Sequence, residues 1–278
     1  MLYLGCPLWA SPQWKHSLFT SDAKPVEFLP QYSRFFNTVE GNTSFYADPS
    51  TQTLKRWLED TPTDFRFVLK VPQRISHRNP ADALQSLADW LNLVRLLGEK
   101  LALVHLQLPA RTGPKDLALL SQWVALISAQ VPCAVEVRHP AFFDKAEHEI
   151  DLHKMLQRFG AERVVLDSRA LFSVAANTAA LLDAQAKKPR LPVHAISFSQ
   201  TPMLRFIGTD DMTLNRQFYL PWLAKVQQWL DEGKSPFCFF HTPDNQLAPQ
   251  LCRQFASDLH YQHHCLTPWP GEQQFSLL

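Results

Sequence analysis

This sequence predicts an α/β fold, a single TIM-type (β/α)8 barrel with an insertion between strands six and seven, on three observations. Short β-prone runs end near residues 5, 40, 70, 106, 136, 167, 206 and 240. Their spacing of about 34 residues is close to the roughly 30-residue strand–helix unit, and eight units fit a barrel better than a doubly wound sheet. Several runs also finish on a charged residue. In Pro132-Cys133-Ala134-Val135-Glu136-Val137-Arg138-His139-Pro140, alternation puts Ala134, Glu136 and Arg138 on one face and Cys133, Val135 and Val137 on the other. Charges at the C-terminal end of an inner face suit the rim where parallel barrels meet their ligands.

The elements follow in order. Leu2–Cys6 is the first strand; the apolar start is too short, and lacks the basic flank, for a signal peptide. A loop with Trp9 and Trp14 leads to a helix over residues 26–34. Strand two, Asn37–Asn42, ends in a polar loop carrying Phe45 and Tyr46, and a short helix over 53–59 precedes strand three, Phe65–Lys70. The strongest helix covers 82–97: Leu84, Leu87, Leu91 and Val94 recur at helical spacing, and Gly98 stands where a C-terminal cap belongs. Strand four is Leu101–Leu106, followed by Gln107-Leu108-Pro109 and a helix from Pro114 with Leu117, Leu120, Val124 and Ile127 in a stripe. After strand five, a helix bearing Leu152, Met155, Leu156 and Phe159 ends at Gly160. Strand six, Arg163–Leu166, meets Asp167. Residues 169–202 are the insertion, with a helical piece over 177–186 and the basic, proline-rich run 187–192. Strand seven (Met203–Gly208), a helix near Pro221–Leu230, strand eight (Phe237–His241) and a last helix over 248–259 complete one domain spanning 1–278, with 260–278 a polar C-terminal tail.

Composition narrows the function. With 46% hydrophobic residues in 278, the chain can bury a large core. Its net charge of +1 sets up no bulk basic field, so any contact with DNA needs a local patch. No G-x-G-x-x-G or G-x-x-x-x-G-K-[ST] loop is present to cradle a nucleotide phosphate. The five cysteines are odd in number, scattered and free of any C-x-x-C, as expected of reduced thiols in a cytoplasmic protein. No apolar run is long enough to cross a bilayer.

Closing the barrel gathers distant residues at one mouth. Glu40, Glu136, Lys70 and Asp167 are the catalytic candidates. Arg138, Arg205, Asn42, Gln107, His77, His139 and His241 are the binding candidates, with Trp9 and Tyr46 as stacking aromatics. A carboxylate beside a guanidinium stays ionised, while a partly desolvated Glu40 or Glu136 would have a raised pKa and move protons. Arg138 and Arg205 suit two-point contact with a phosphate or carboxylate. Two readings stand side by side: ion pairs that close the barrel end, and a ligand site; the cost of burying so much charge favours the ligand site. A metal is the weaker option, because Lys70, Arg138 and Arg205 crowd the histidines that would hold it, and no cofactor is expected. His260, His263, His264 and Cys265 read as a solvated tail cluster.

These residues also carry a resemblance. Gly5 with Trp9 and Trp14, the segment Val39–Tyr46, Phe67–Lys70 with Ile75-Ser76-His77, Leu106–Pro109 and Val135–His139 together resemble the DUF72 family. Arg205–Gly208, Asp210–Thr213 and His241–Asp244 look like its YecE-like subgroup. The resemblance spans nearly the whole chain and implies a TIM-type barrel without a settled activity. Two departures stand out: the family's usual Arg-x-His-Gly appears as Arg205-Phe206-Ile207-Gly208, and its usual Phe-Asn-Asn as Phe240-His241-Thr242. The last residues, Gln274-Phe275-Ser276-Leu277-Leu278, resemble the short peptide by which bacterial DNA-metabolism proteins dock on the sliding clamp. Three functions are therefore expected in order: metal-independent acid–base catalysis on a small phosphate- or carboxylate-bearing substrate; a DNA-processing or repair accessory factor recruited through the tail, with Lys187–Arg190 on phosphates; and a non-catalytic ligand-binding barrel.

Overall fold

The computed structural model of the chain describes residues 1–77 and 80–273, and all eight predicted strand regions form parallel strands in it. In chain order come β1 (Tyr3–Gly5), α1 (Phe28–Tyr32), β2 (Thr38–Gly41), α2 (Thr43–Tyr46), α3 (Thr51–Glu59), β3 (Arg66–Lys70), α4 (Gln73–Ser76), α5 (Pro80–Val94) and β4 (Leu101–Gln107). Then follow α6 (Leu117–Ser128), β5 (Cys133–Glu136), α7 (Glu147–Arg158), β6 (Glu162–Arg163) and β7 (Val165–Asp167). The chain ends with α8 (Ala179–Lys187), β8 (Met203–Ile207), α9 (Met212–Asp231), β9 (Phe237–His241), α10 (Ala248–Asp258) and α11 (Pro270–Gln273).

The ladders make two sheets rather than the single ring expected, ordered β1-β9-β8-β7 and β2-β3-β4-β5-β6. Both seams have a local cause. The region read as one sixth strand divides at Val164: its N–H still donates to Val135 O at 2.9 Å, but from Val165 onward the chain pairs with β8. At the other seam, the N–H of Glu40 donates to Cys6 O at 3.0 Å, but no β1–β2 ladder forms.

Alternation sorts the core into two layers. Outward strand positions such as Cys133, Val135 and Val137 pack with the helix stripes Leu87, Leu91, Val94 and Leu120, Val124, Ile127 in one large cluster. Burying each of these side chains contributes about 1.5–3 kcal/mol. Inward positions form a separate cluster that includes Val68, Leu103, Ala134, Met203 and Phe239. Each of these five stands two residues before a polar side chain, namely Lys70, His105, Glu136, Arg205 and His241. With a period of two, those polar groups share the inner face and make the next layer up.

Close backbone approach at the β1–β2 seam requires Gly5. A Cβ there would lie 2.2 Å from the backbone oxygen of Thr38, the same oxygen that accepts from the buried Tyr32 hydroxyl at 2.9 Å. Gly5→Ala is expected to lower the free energy of urea unfolding by about 1–3 kcal/mol, as overpacking does. An unchanged transition would mean the seam is not held this tightly.

Two expectations need correction. The helix read as starting at Pro221 runs from Met212, because Asp211 caps it by accepting from Leu214 N at 2.9 Å; the exposed Pro221 is tolerated where the freed carbonyl can face water. Residues 260–273 are solvated only in part: His260 and His264 are exposed, but Cys265 and Trp269 are buried, and the Gly271 N–H donates to Ser17 O at 3.0 Å. The insertion is fastened down: Glu162 accepts from Ser197 Oγ at 2.9 Å and from the N–H groups of Phe198 and Ser199 at 3.2 and 3.0 Å. Gln274–Leu278, and so the docking peptide read there, lie outside the described residues. All five cysteines are buried and unpaired. Among the described residues no helix is long and apolar enough to cross a membrane.

Candidate functional site

Two buried glutamates and one arginine form the centre. Arg205, in the middle of β8, donates through Nε to Glu40 Oε2 at 2.9 Å and through Nη1 to Glu136 Oε2, so one guanidinium bridges carboxylates from β2 and β5. Lys70 Nζ stands 3.1 Å from Glu40 Oε1 and donates to Gln107 Oε1 at 3.1 Å. Arg138 grips Glu136 Oε1 with Nε and Nη2 at 2.8 and 2.7 Å. His241 Nε2 lies 3.2 Å from Glu40 Oε2. The fully buried His105 sits between the glutamates, 3.7 Å from Glu40 and 3.4 Å from Glu136, without a well-formed hydrogen bond to either.

The charges follow from this arrangement. Burial opposes ionisation of Glu40, but Arg205 and Lys70 outweigh it and hold the carboxyl well below the usual range. Glu136 behaves likewise, with Arg205 and Arg138 outweighing its burial. Burial draws Lys70 down to about 8 against the pull of Glu40. Burial, reinforced by the charge on Lys188, pushes His241 down to about 3, so its imidazole is neutral at ordinary pH. Lys188 is drawn down to about 7 by burial and by Arg205 and Lys70. The residue is part-exposed, so solvent tempers the burial contribution, yet the two like charges act in the same direction. The expected raised glutamate pKa is thus reversed. Each carboxylate faces more than one cation, and the groups poised to exchange protons near neutrality are lysines.

Above this layer opens a cleft of about 550 Å³. Lys70, Gln107, Arg138, Asn42, His77, His241 and Tyr46 line it, with Glu40, Arg205 and Glu136 buried beneath. Asp167, His139 and Trp9 are not brought there. Asp167 accepts from Arg169 Nε at 3.0 Å and from the indole of Trp222 at 2.8 Å, which turns it toward the helix layer. His139 caps a short turn, its Nδ1 accepting from Ala141 N at 3.2 Å. Trp9 packs edge-on against Trp57 with ring centroids 5.0 Å apart and belongs to the core. The basic run is split: Lys187 pairs with Asp183 at 2.7 Å, Lys188 lines the cleft, and Arg190 lies over the Phe172 ring.

Sequence reasoning missed His105 altogether and did not place Lys188 at the mouth. Alternation back from Gln107 would have found His105, on the same face two residues earlier. Lys188 was read only as part of the basic run on DNA phosphates, and the course of the insertion brings it to the mouth instead. Among the described residues, no group of three or more His, Cys, Asp or Glu side chains is arranged to hold a metal ion.

A family model described as "Protein of unknown function DUF72" matches residues 3–274. The chain belongs to the DUF72 family. It is 40% identical over 260 residues to the UPF0759 protein YecE of Escherichia coli (strain K12), covering 93% of each chain. It is 27% identical over 163 residues to the UPF0759 protein YunF of Bacillus subtilis (strain 168), covering 56% of this chain and 57% of that one. A crystal structure of a DUF72 family protein from Enterococcus faecalis V583 superposes with a TM-score of 0.74 at 15% identity, over 95% of this chain and 97% of that one. In this DUF72 chain, Ile207 stands where the family pattern led one to expect histidine. Its register partner across the β8–β9 ladder is His241, so an imidazole is present one strand over.

Proposed function

We propose that the two sheets are the arcs of one eight-unit barrel, and that its mouth binds a small phosphate- or carboxylate-bearing molecule for acid–base chemistry. Joining β6 and β7 through Val164 makes eight strands of nine, and the Glu40–Cys6 hydrogen bond spans the remaining seam. The observation that carries the functional reading is a surplus of positive charge. Two buried carboxylates, Glu40 and Glu136, face Lys70, Arg138, Arg205 and Lys188, while Asp183 and Lys187 neutralise each other at the edge. Burying unmatched cations is costly, and an anion in the cleft removes that cost. Glu40 and Glu136 then serve as fixed counter-charges that set the direction of Arg205 and Arg138, rather than as acid and base. Lys70 and Lys188, with pKa values of about 8 and about 7, are the proton carriers.

Calorimetric titration with inorganic phosphate and with sulfate tests the reading. Arg138→Ala removes a donor at the cleft wall and is expected to weaken binding about tenfold while leaving the thermal transition within a few degrees. Failure of phosphate, sulfate and small carboxylates alike to bind the folded wild-type protein would refute the anion site.

A further inference from the structure

We infer that Lys188 is a carbonyl-capturing nucleophile, its amine condensing with the aldehyde or ketone group of a small substrate that also carries a carboxylate or phosphate. The inference rests on the anion-site reading and narrows its substrate class to oxo acids and phosphorylated aldehydes or ketones.

The two cleft lysines are held differently. Lys70 is committed: it pairs with Glu40 and donates to Gln107, so its nitrogen is held by two partners and is not free to attack. Lys188 makes no ion pair and no side-chain hydrogen bond among the described residues, although Lys187 beside it pairs with Asp183. The charged groups acting on Lys188 are Arg205, Lys70, Glu40 and Glu136, with the cations dominating. An ammonium with like charges nearby and no counter-ion of its own releases its proton readily, and the free amine is the nucleophilic form. Its lowered pKa agrees with that placement.

The backbone beneath Lys188 is fixed on both sides. Its own N–H closes the last turn of α8 by donating to Ala184 O at 3.0 Å, and the following carbonyl, of Pro189, accepts from Ser168 Oγ at 2.8 Å. The insertion therefore presents this amine to the mouth from a pinned stem, as a reacting group requires.

The chemistry balances without any further reagent. The nitrogen lone pair of Lys188 adds to the carbonyl carbon as the C=O π pair moves to oxygen, which takes a proton while the nitrogen loses one. The carbinolamine then expels its hydroxyl as water with a second proton, and the nitrogen lone pair forms the C=N bond of the iminium. One proton is taken up and one water released, and nothing is oxidised or reduced. The substrate's anionic group meanwhile occupies the positive surplus by Arg138 and Lys70.

The test uses the full chain with two probes, pyruvate and glycolaldehyde phosphate, each with sodium cyanoborohydride, which reduces an iminium to a stable secondary amine. Intact mass and peptide mapping are expected to find one adduct per chain, on Lys188, reduced about tenfold by excess sulfate. Lys188→Arg is expected to abolish the adduct while the variant's urea transition stays that of the wild type. Labelling on Lys70 instead, labelling spread over surface lysines, or no adduct with either probe would overturn the inference. If sulfate still binds in that case, the anion site stands alone; if sulfate fails as well, both fall.

Discussion

Replacing Arg205 with methionine is expected to destabilise the folded protein by about 3–5 kcal/mol at neutral pH, the usual cost of removing one partner from a buried ion pair. The side chain is 1% exposed and touches both Glu40 and Glu136, so its loss leaves each carboxylate with less countercharge in a place water does not reach. The pH dependence separates this cause from loss of packing. In the wild type both glutamates have folded-state pKa values below the unfolded 4.5. Their stabilisation is fully present above that value and is lost as pH falls through the folded pKa. In the variant, Lys70 and Arg138 alone oppose burial, so both carboxyls titrate higher than in the wild type and the penalty eases as pH drops. The gap between the two proteins, read from urea transitions, is therefore expected to narrow toward acid pH. A gap that stays constant would mean the variant lost only side-chain volume, and an absent gap at neutral pH would mean Arg205 does not bridge the pair.

Much of this site was legible because strand alternation is a strict rule. The period of two in Ala134-Val135-Glu136, together with the apolar residue two places before each charge, puts Lys70, Glu136, Arg205 and His241 on one face. The same rule reaches His105, which an apolar strand four had concealed. Asp167 and His139 were misplaced for a different reason. Both stand at or just past a strand's last residue, where the alternation ends and local partners decide; Trp222 and Arg169 claim the first, and the turn at Ala141 the second. Seams between sheets depend on single hydrogen bonds, which no periodicity encodes, and so two sheets appeared where one had been read. The burial of Cys265 and Trp269 was hidden by composition, because they are spaced through a stretch otherwise rich in histidine and polar residues.

Sulfate binding is expected to weaken at least about tenfold as pH rises through about 7 and about 8, the range in which Lys188 and Lys70 lose their protons. Sulfate does not itself titrate there, so the change belongs to the protein. The sign is fixed by linkage. Each deprotonation removes one positive charge from a cleft whose attraction for anions is that charge, and a bound dianion must in return raise both lysine pKa values. Binding within this window therefore draws protons from the buffer, and titrations in buffers of different ionisation enthalpy are expected to register net uptake. Uptake should vanish well below pH 7, where both amines are already charged. Lys188→Arg should remove the lower-pH part of the uptake while preserving affinity, because guanidinium keeps its proton throughout. Proton release, or an affinity independent of pH, would assign the titrating role elsewhere. It would also leave Lys188 without the free amine that attack on a carbonyl requires, so one calorimetric sign bears on both the anion site and the nucleophile above it.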